Sequence, residues 1–338
     1  MSRRLRRLQR RHITKKRPLD RAEQKTEVHE ARIISSEETS RRSSHDKKSG
    51  FLGFYDSNYK KLLIIPILML LLSIGFLGYN YATEGSLVGL GVSITGGVSV
   101  TATGEIVYSV PETEAYILEQ FPESDVNARF ISSAGETIGI TVEASEVSED
   151  EFVPVVREYL GDDLDYSIEV TGSSIGSAFF RQMLTALILA FVLMGIVVFI
   201  SFRTVVPSLA VILSAASDML VTLAIISLLD VKLSLAGIAA FLMLIGYSVD
   251  TDILLTTRVL KRKQGTVFER IMSAFETGFT MNLTTLAAIT AGLIFSQSDV
   301  LSQIMLILFI GLMIDMVNTW IQNVGILRLY VEKKGDKE

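Results

Sequence analysis

Hydrophobic and polar positions divide the chain into blocks. Residues 1–50 are polar. An apolar run follows at about Leu62–Ala82, a mixed stretch fills 83–176, and five more apolar runs lie at about Phe179–Phe202, Val205–Leu229, Leu235–Thr257, Ala274–Phe295 and Val300–Leu327. A helix rises about 1.5 Å per residue, so roughly 20 apolar residues cross a lipid bilayer. Every run is long enough, and short links join the last five. Pro66, near the entrance of the first run, is tolerable there.

The mixed stretch carries shorter periods. Gly97–Ala102 is rich in Val and Thr, and Pro111–Gln120 opens with Pro and acids, which reads as a helix. Val126–Ser132 and Thr137–Glu143 alternate as strands around a turn at Ala134-Gly135. Ser148–Leu160 reads as a second helix with Ser148 at its cap, and Tyr166–Val170 as a last strand. The order β-α-β-β-α-β is the split βαβ arrangement. The expected fold class is therefore an α-helical membrane protein with six transmembrane helices and an exported α+β ferredoxin-like domain between helices one and two. The expected domains are a disordered basic cytoplasmic tail (1–50), the first helix with its lead-in (51–82), the extracytoplasmic domain (83–176), a five-helix bundle (177–328) and a cytoplasmic tail (329–338).

Charge orients this layout. Lys60 and Lys61 precede the first run, Arg203 follows the second, and Arg258, Lys261, Arg262, Lys263 and Arg270 follow the fourth. Arg328, Lys333, Lys334 and Lys337 follow the sixth, whereas the links holding Asp230 and Asp299 are nearly free of positive charge. The only bases in 83–176 are Arg129 and Arg157, among many acids. By the positive-inside rule both termini are cytoplasmic and 83–176 lies outside, in a multi-pass protein of the cell membrane. The tail's basic block, Arg3 to Arg17, attracts anionic lipid or RNA in principle. A solvated tail that fixes topology explains it as well, and no nucleic-acid partner is expected.

Composition removes several chemistries. Of 338 residues 49% are hydrophobic and none is Cys, so thiolate catalysis, disulfides and cysteine metal sites are absent. The three histidines, His12, His29 and His45, all lie in the polar tail. No cofactor is expected.

What remains is acids in apolar helices. Asp250 and Asp252 sit in the fourth span, roughly 9–12 Å before Arg258 at about 1.5 Å per residue. Asp218 lies mid-way along the third, and Asp315 in the sixth with Asn318 and Gln322 continuing its face. Asn282, Thr284 and Thr285 occupy the fifth. An acid within a span is costly and marks function by default. No Lys or Arg sits deep enough to pair with these acids, so they are protonated, hydrated, ion-bound or matched by a partner chain. The bland alternative is a buried structural acceptor, with Ser214 to Ser217 as a packing face. Gly246, one turn before Asp250, suggests a packed face, so Asp250 is expected to point inward and Asp252 toward lipid or a partner.

The motifs in these spans resemble the SecD/SecF family of protein translocase subunits, on its SecF side and particularly its archaeal branch. Gly246-Tyr247-Ser248-Val-Asp250-Thr-Asp252-Ile-Leu-Leu-Thr-Thr-Arg258 is similar to the family's fourth-helix motif, and Asn282-Leu-Thr284-Thr285 to its fifth-helix segment. Ser93-Ile-Thr95-Gly96-Gly97 is similar to the stretch that opens its exported domain. There are three departures. The bacterial SecF acid falls on Thr251, the bacterial fifth-helix Arg has no counterpart in Glu276–Met281, and the family's Asp before Thr-Gly-Gly is Ser93. The resemblance implies a SecD partner, a pseudo-symmetric twelve-helix unit beside a SecY-containing translocon, and help to exported polypeptides driven by an ion gradient. Two rivals remain. One is a small-molecule efflux transporter of the related resistance-nodulation-division type. The other is an intramembrane aspartyl protease using Asp250 and Asp315, with Gly311 four residues before the latter.

Overall fold

A computed structural model describes residues 51–262 and 264–335. The basic block of 1–50 and the last three residues lie outside the described residues. The chain divides after Asn58 into two units. Of the first, residues 51–58 are described and helical.

Helix α1 (Phe51–Leu62) gives way to α2 (Ile64–Glu84) at Leu63. Proline has no N–H to donate, so the helical ladder is interrupted just before Pro66. α2 ends where Gly85 turns left-handed, at φ 74°, and donates its N–H to the Tyr81 carbonyl. A single turn, α3 (Val92–Thr95), then leads into the mixed α/β region.

That region runs β1 (Gly97–Thr103), α4 (Val110–Gln120), β2 (Val126–Ser133), β3 (Glu136–Ser145), α5 (Glu149–Leu160) and β4 (Asp165–Thr171). The sheet is antiparallel throughout, in the order β2-β3-β1-β4. Ala134 and Gly135, with φ 52° and 87°, make the β2–β3 turn. Val98, Val100 and Ala102 alternate onto one face of β1, and Ile140, Val142 and Ala144 onto the same face of β3. Ile117 of α4 and Phe152, Val156 and Leu160 of α5 close the core over them. Ser148 occupies the N-cap of α5 but makes no side-chain bond there. The working cap is on α4, where the backbone N–H and hydroxyl of Ser109 both donate to Glu112.

Six helices are long and apolar enough to cross a membrane. After α2 these are α6 (Ser173–Phe202), α7 (Val205–Leu228), α8 (Leu235–Lys261), α9 (Val267–Phe295) and α10 (Asp299–Val317), which continues through a π-helical turn, Asn318–Asn323, into α11 (Val324–Gly335). α6 begins at Ser173, with Gly172 alone between it and β4, so a single residue separates sheet from bundle. α9 begins a full seven residues before the apolar run at Ala274, because Thr266 and Glu269 exchange cap hydrogen bonds ahead of it. α8 lies at the centre, packed against α6, α7, α9 and α10. Its Phe241 and Leu244 join Leu308 and Leu312 of α10 in the core.

Sheet and bundle are joined by polar contacts. Arg129 of β2 binds Glu143 of β3 at 2.8 Å and also Asp299 at the start of α10. Burial opposes the charge on its guanidinium, but the bonds to Asp299 and Glu143 outweigh that and raise its pKa above the ordinary value. Lys232 binds Asp125 at 2.6 Å, and Ser93 accepts the N–H of Leu235 at the start of α8.

Candidate functional site

Three acids of three helices meet in the middle of the bundle. Asp218 of α7, Asp252 of α8 and Asp315 of α10 are each completely buried. Their partners are neutral amides and hydroxyls. Ser248 donates to Asp218 at 2.5 Å and Asn318 to its other oxygen at 2.7 Å. Asn323 donates to Asp252 at 2.7 Å, and Asn282 to Asp315 at 3.1 Å. The hydroxyl of Thr319 lies 3.0 Å from an oxygen of Asp252 and 3.0 Å from one of Asp315.

That last contact carries chemical information. A hydroxyl has one hydrogen and can donate it to one carboxylate. The second contact is made well only if the other carboxyl brings its own proton. Nor is the cluster saturated, since Asn318 Oδ1, Asn323 Oδ1 and the hydroxyl of Thr256 have no hydrogen-bond partner. Buried polar atoms left unmatched are costly and mark a place that holds water or changes state. Among the described residues the bridging ion pairs all lie elsewhere, so no Lys or Arg neutralises the three acids.

Local sequence explains how the side chains converge. Ser248, Asp252 and Thr256 recur every fourth residue on the buried stripe of α8. In the π-helical turn an extra residue is fitted into the coil. Across it Asn318, Thr319, Gln322 and Asn323 are all buried, a broad polar face packed toward α7 and α8.

The expectation for Asp250 is corrected. Asp250 is exposed on the outer side of α8, and Asp252 is the interior acid. The inference failed at Gly246, which faces open space rather than a packed neighbour. Asp250 and Asp315 therefore do not face each other, and the dyad of the protease reading is not formed. Tyr247 shares the open face with Asp250. Of the remaining motif residues, Ser248 and Asn282 belong to the cluster. Arg258 binds the Ser273 carbonyl and, at 2.9 Å, its hydroxyl, tying α8 to α9. Thr284 and Thr285 return their hydroxyls to the Met281 carbonyl at 2.8 and 3.0 Å. Gly96 serves the junction of sheet and bundle, since at φ 88° a Cβ there would lie 2.5 Å from Ser173 Cα; Gly97 lies against β3 at Ala144, and Thr95 gives its hydroxyl to the Gly91 carbonyl at 3.3 Å. Thr319 and Asn323 were not singled out from sequence. Their signal was a hydroxyl and an amide four and eight residues after Asp315, inside an apolar run.

Fold and cluster together define a multi-pass membrane protein with an inserted sheet domain and an acid cluster within its bundle. The C-terminal family of SecD/SecF protein export membrane proteins matches residues 153–333. The protein-export membrane protein SecF of Pyrococcus furiosus is 41% identical over 282 residues, covering 82% of this chain and 93% of its own. That of Methanolacinia petrolearia is 40% identical over 288 residues, covering 83% and 98%. The chain belongs to the SecD/SecF family of protein-export membrane proteins. In fold it is similar to the crystal structure of SecDF, a translocon-associated membrane protein of Thermus thermophilus, with a TM-score of 0.64 at 20% identity. The match covers 82% of this chain and 38% of that one.

Proposed function

We propose that this chain is an accessory subunit of the Sec protein-export machinery and pairs with SecD beside the SecY-containing translocon. In this reading it sits in the cell membrane with both termini cytoplasmic, and the ferredoxin-like domain between α2 and α6 faces outward toward exported polypeptides. The acid cluster is the ion-coupling element. The observation that carries the coupling role is the Thr319 hydroxyl shared by Asp252 and Asp315, both buried and without a base beside them. A proton added to or removed from that pair redistributes the bonds of α8 and α10 together. Asp252 and Asp315 take the central role, and Asp250 a different one.

Asp250 supports the partnership. A carboxyl facing lipid at membrane depth costs about 2.5–3.5 kcal/mol on insertion scales. Covered by a second helical subunit, it acquires hydrogen-bond partners, and the space around Gly246 admits a close helix. SecD, which the names of the relatives and the SecDF fold suggest, is that subunit.

The test is export of a secreted reporter in cells whose only copy carries Asp252→Asn, Asp315→Asn or Asp250→Asn, with co-purification of SecD measured alongside. Asp252→Asn and Asp315→Asn are expected to abolish export assistance with SecD still bound. Asp250→Asn is expected to weaken SecD recovery. Normal export with Asp252→Asn overturns the coupling role.

A further inference from the structure

At the basic end of the bundle lies a cavity of about 390 Å³ that the acid cluster does not touch. Phe202 of α6, Thr204, Lys261 of α8, Arg270 of α9, and Tyr330 and Lys334 of α11 line it. Three of these six residues are cations, and the lining contains no acid. Among the described residues no carboxylate pairs with any of the three.

Two donors inside it are unused. The Arg270 guanidinium gives Nη1 to the carbonyls of Val259 and Arg262, at 2.7 and 2.6 Å, which fixes it between α8 and α9. Its Nε is buried with no acceptor. Thr204 occupies the N-cap of α7, yet its hydroxyl makes no cap bond and is also buried without a partner. A fixed guanidinium and a hydroxyl with free donors, flanked by two lysines, suit a phosphate oxygen.

A second cavity of about 390 Å³ lies on the same helix pair, lined by Phe191, Gly195, Ile196, Phe199 and Ile200 of α6 and Ile212 of α7. It is almost wholly apolar and opens where Gly195 removes a side chain opposite Ile212. Phe202 of the cationic cavity lies one helical turn beyond Phe199, about 4.5 Å along α6. A polar pocket at the membrane surface with an apolar groove running inward from it has the form of an amphiphile.

We propose that the cationic cavity holds the phosphate of an anionic glycerophospholipid, one of whose hydrocarbon chains lies in the α6–α7 groove. Lys261, Arg270 and Lys334 supply charge, Arg270 Nε and the Thr204 hydroxyl supply directed bonds, and the lack of an acid disfavours a zwitterionic headgroup. Because the site joins the ends of α6, α7, α8, α9 and α11, the lipid would clamp them at one membrane surface.

The test uses the full chain reconstituted in bilayers of phosphatidylcholine and phosphatidylglycerol, then extracted into mild detergent for native mass spectrometry. Phosphatidylglycerol should be retained selectively. Lys261→Gln with Lys334→Gln, both at exposed positions, should weaken its retention about 30-fold, the loss expected for two surface cations. Arg270→Gln should do the same or more, and the double variant decides the matter if Arg270→Gln fails to fold. Equal retention of both lipids, or undiminished retention by the double variant, overturns the proposal. So does displacement of the lipid by inorganic phosphate at millimolar concentration, which would make the cavity a free-anion site.

Discussion

Replacing Thr319 by Val keeps the side chain's shape and removes one hydroxyl. In the structure that hydroxyl lies 3.0 Å from both Asp252 and Asp315. Without it Asp252 keeps the bond from Asn323, and Asp315 the bond from Asn282. Orphaning a buried acceptor costs about 1–3 kcal/mol, while hydrogen bonds between membrane helices average roughly 0.6 kcal/mol because the separated helices find other partners. The expected loss is therefore about 0.6–3 kcal/mol, read from unfolding of the full chain in lipid bicelles by titrated dodecyl sulfate. The sharper measurement is a cycle with Asp252→Asn. If the hydroxyl bridges the two acids, the double variant departs from the sum of the single ones by more than the roughly 0.5 kcal/mol scatter seen for independent sites. Asp250→Asn is the control, since Asp250 lies outside the cluster and should add independently. Additive effects for Thr319 with Asp252, or equal coupling to Asp250, would refute the shared-hydroxyl argument.

Three other outcomes are expected. Protease added to right-side-out vesicles should cut only between α2 and α6, and cleavage of the link at 262–266 from that side would reverse the topology. In the isolated sheet region Phe152→Ala should cost about 3–5 kcal/mol in denaturant, because Phe152 is fully buried between sheet and helix; a loss below about 1 kcal/mol would show that the core is not formed there. The Glu112 carboxyl, held below its ordinary value by the Ser109 hydroxyl and then the Ser109 N–H, should stabilise the α4 cap at neutral pH. A depressed acid stabilises above its unfolded value, so this contribution should disappear as pH falls below about 4, followed by amide shifts of Ser109 and Glu112.

The membrane helices were legible because about twenty apolar residues in a row admit few other readings. The sheet strands were legible too, since Val98, Val100 and Ala102 alternate with Ser99, Thr101 and Thr103 as a half-buried strand requires. Helix starts were less so: the first turns of α9 are amphipathic rather than apolar, and only the Thr266–Glu269 pair marks them. The acids were visible, but which of Asp250 and Asp252 faces inward was not. Successive helical positions turn about 100°, so that choice depends on which stripe meets α7 and α10, and a glycine does not decide it. Thr319 and Asn323 were hidden for a further reason. By a 3.6-residue period they lie about 40° and 80° round from Asp315, on its own face, but a Thr and an Asn in a span read equally as helix-packing residues.

That turn has a consequence of its own. An extra residue in one coil of a long rod is a dislocation, and like one in a crystal it can glide by exchanging a single bond at a time. Each step turns the residue passed over by about 100° and leaves both flanks in place, so here it would change which side chains of Asn318–Asn323 face the acids. The dislocation is pinned: Asn318 is held by Asp218, and Thr319 and Asn323 by Asp252. Pins made of ionisable groups hold with a strength set by the protons they carry, so the resting place of this defect is written in the charge state of the acids around it.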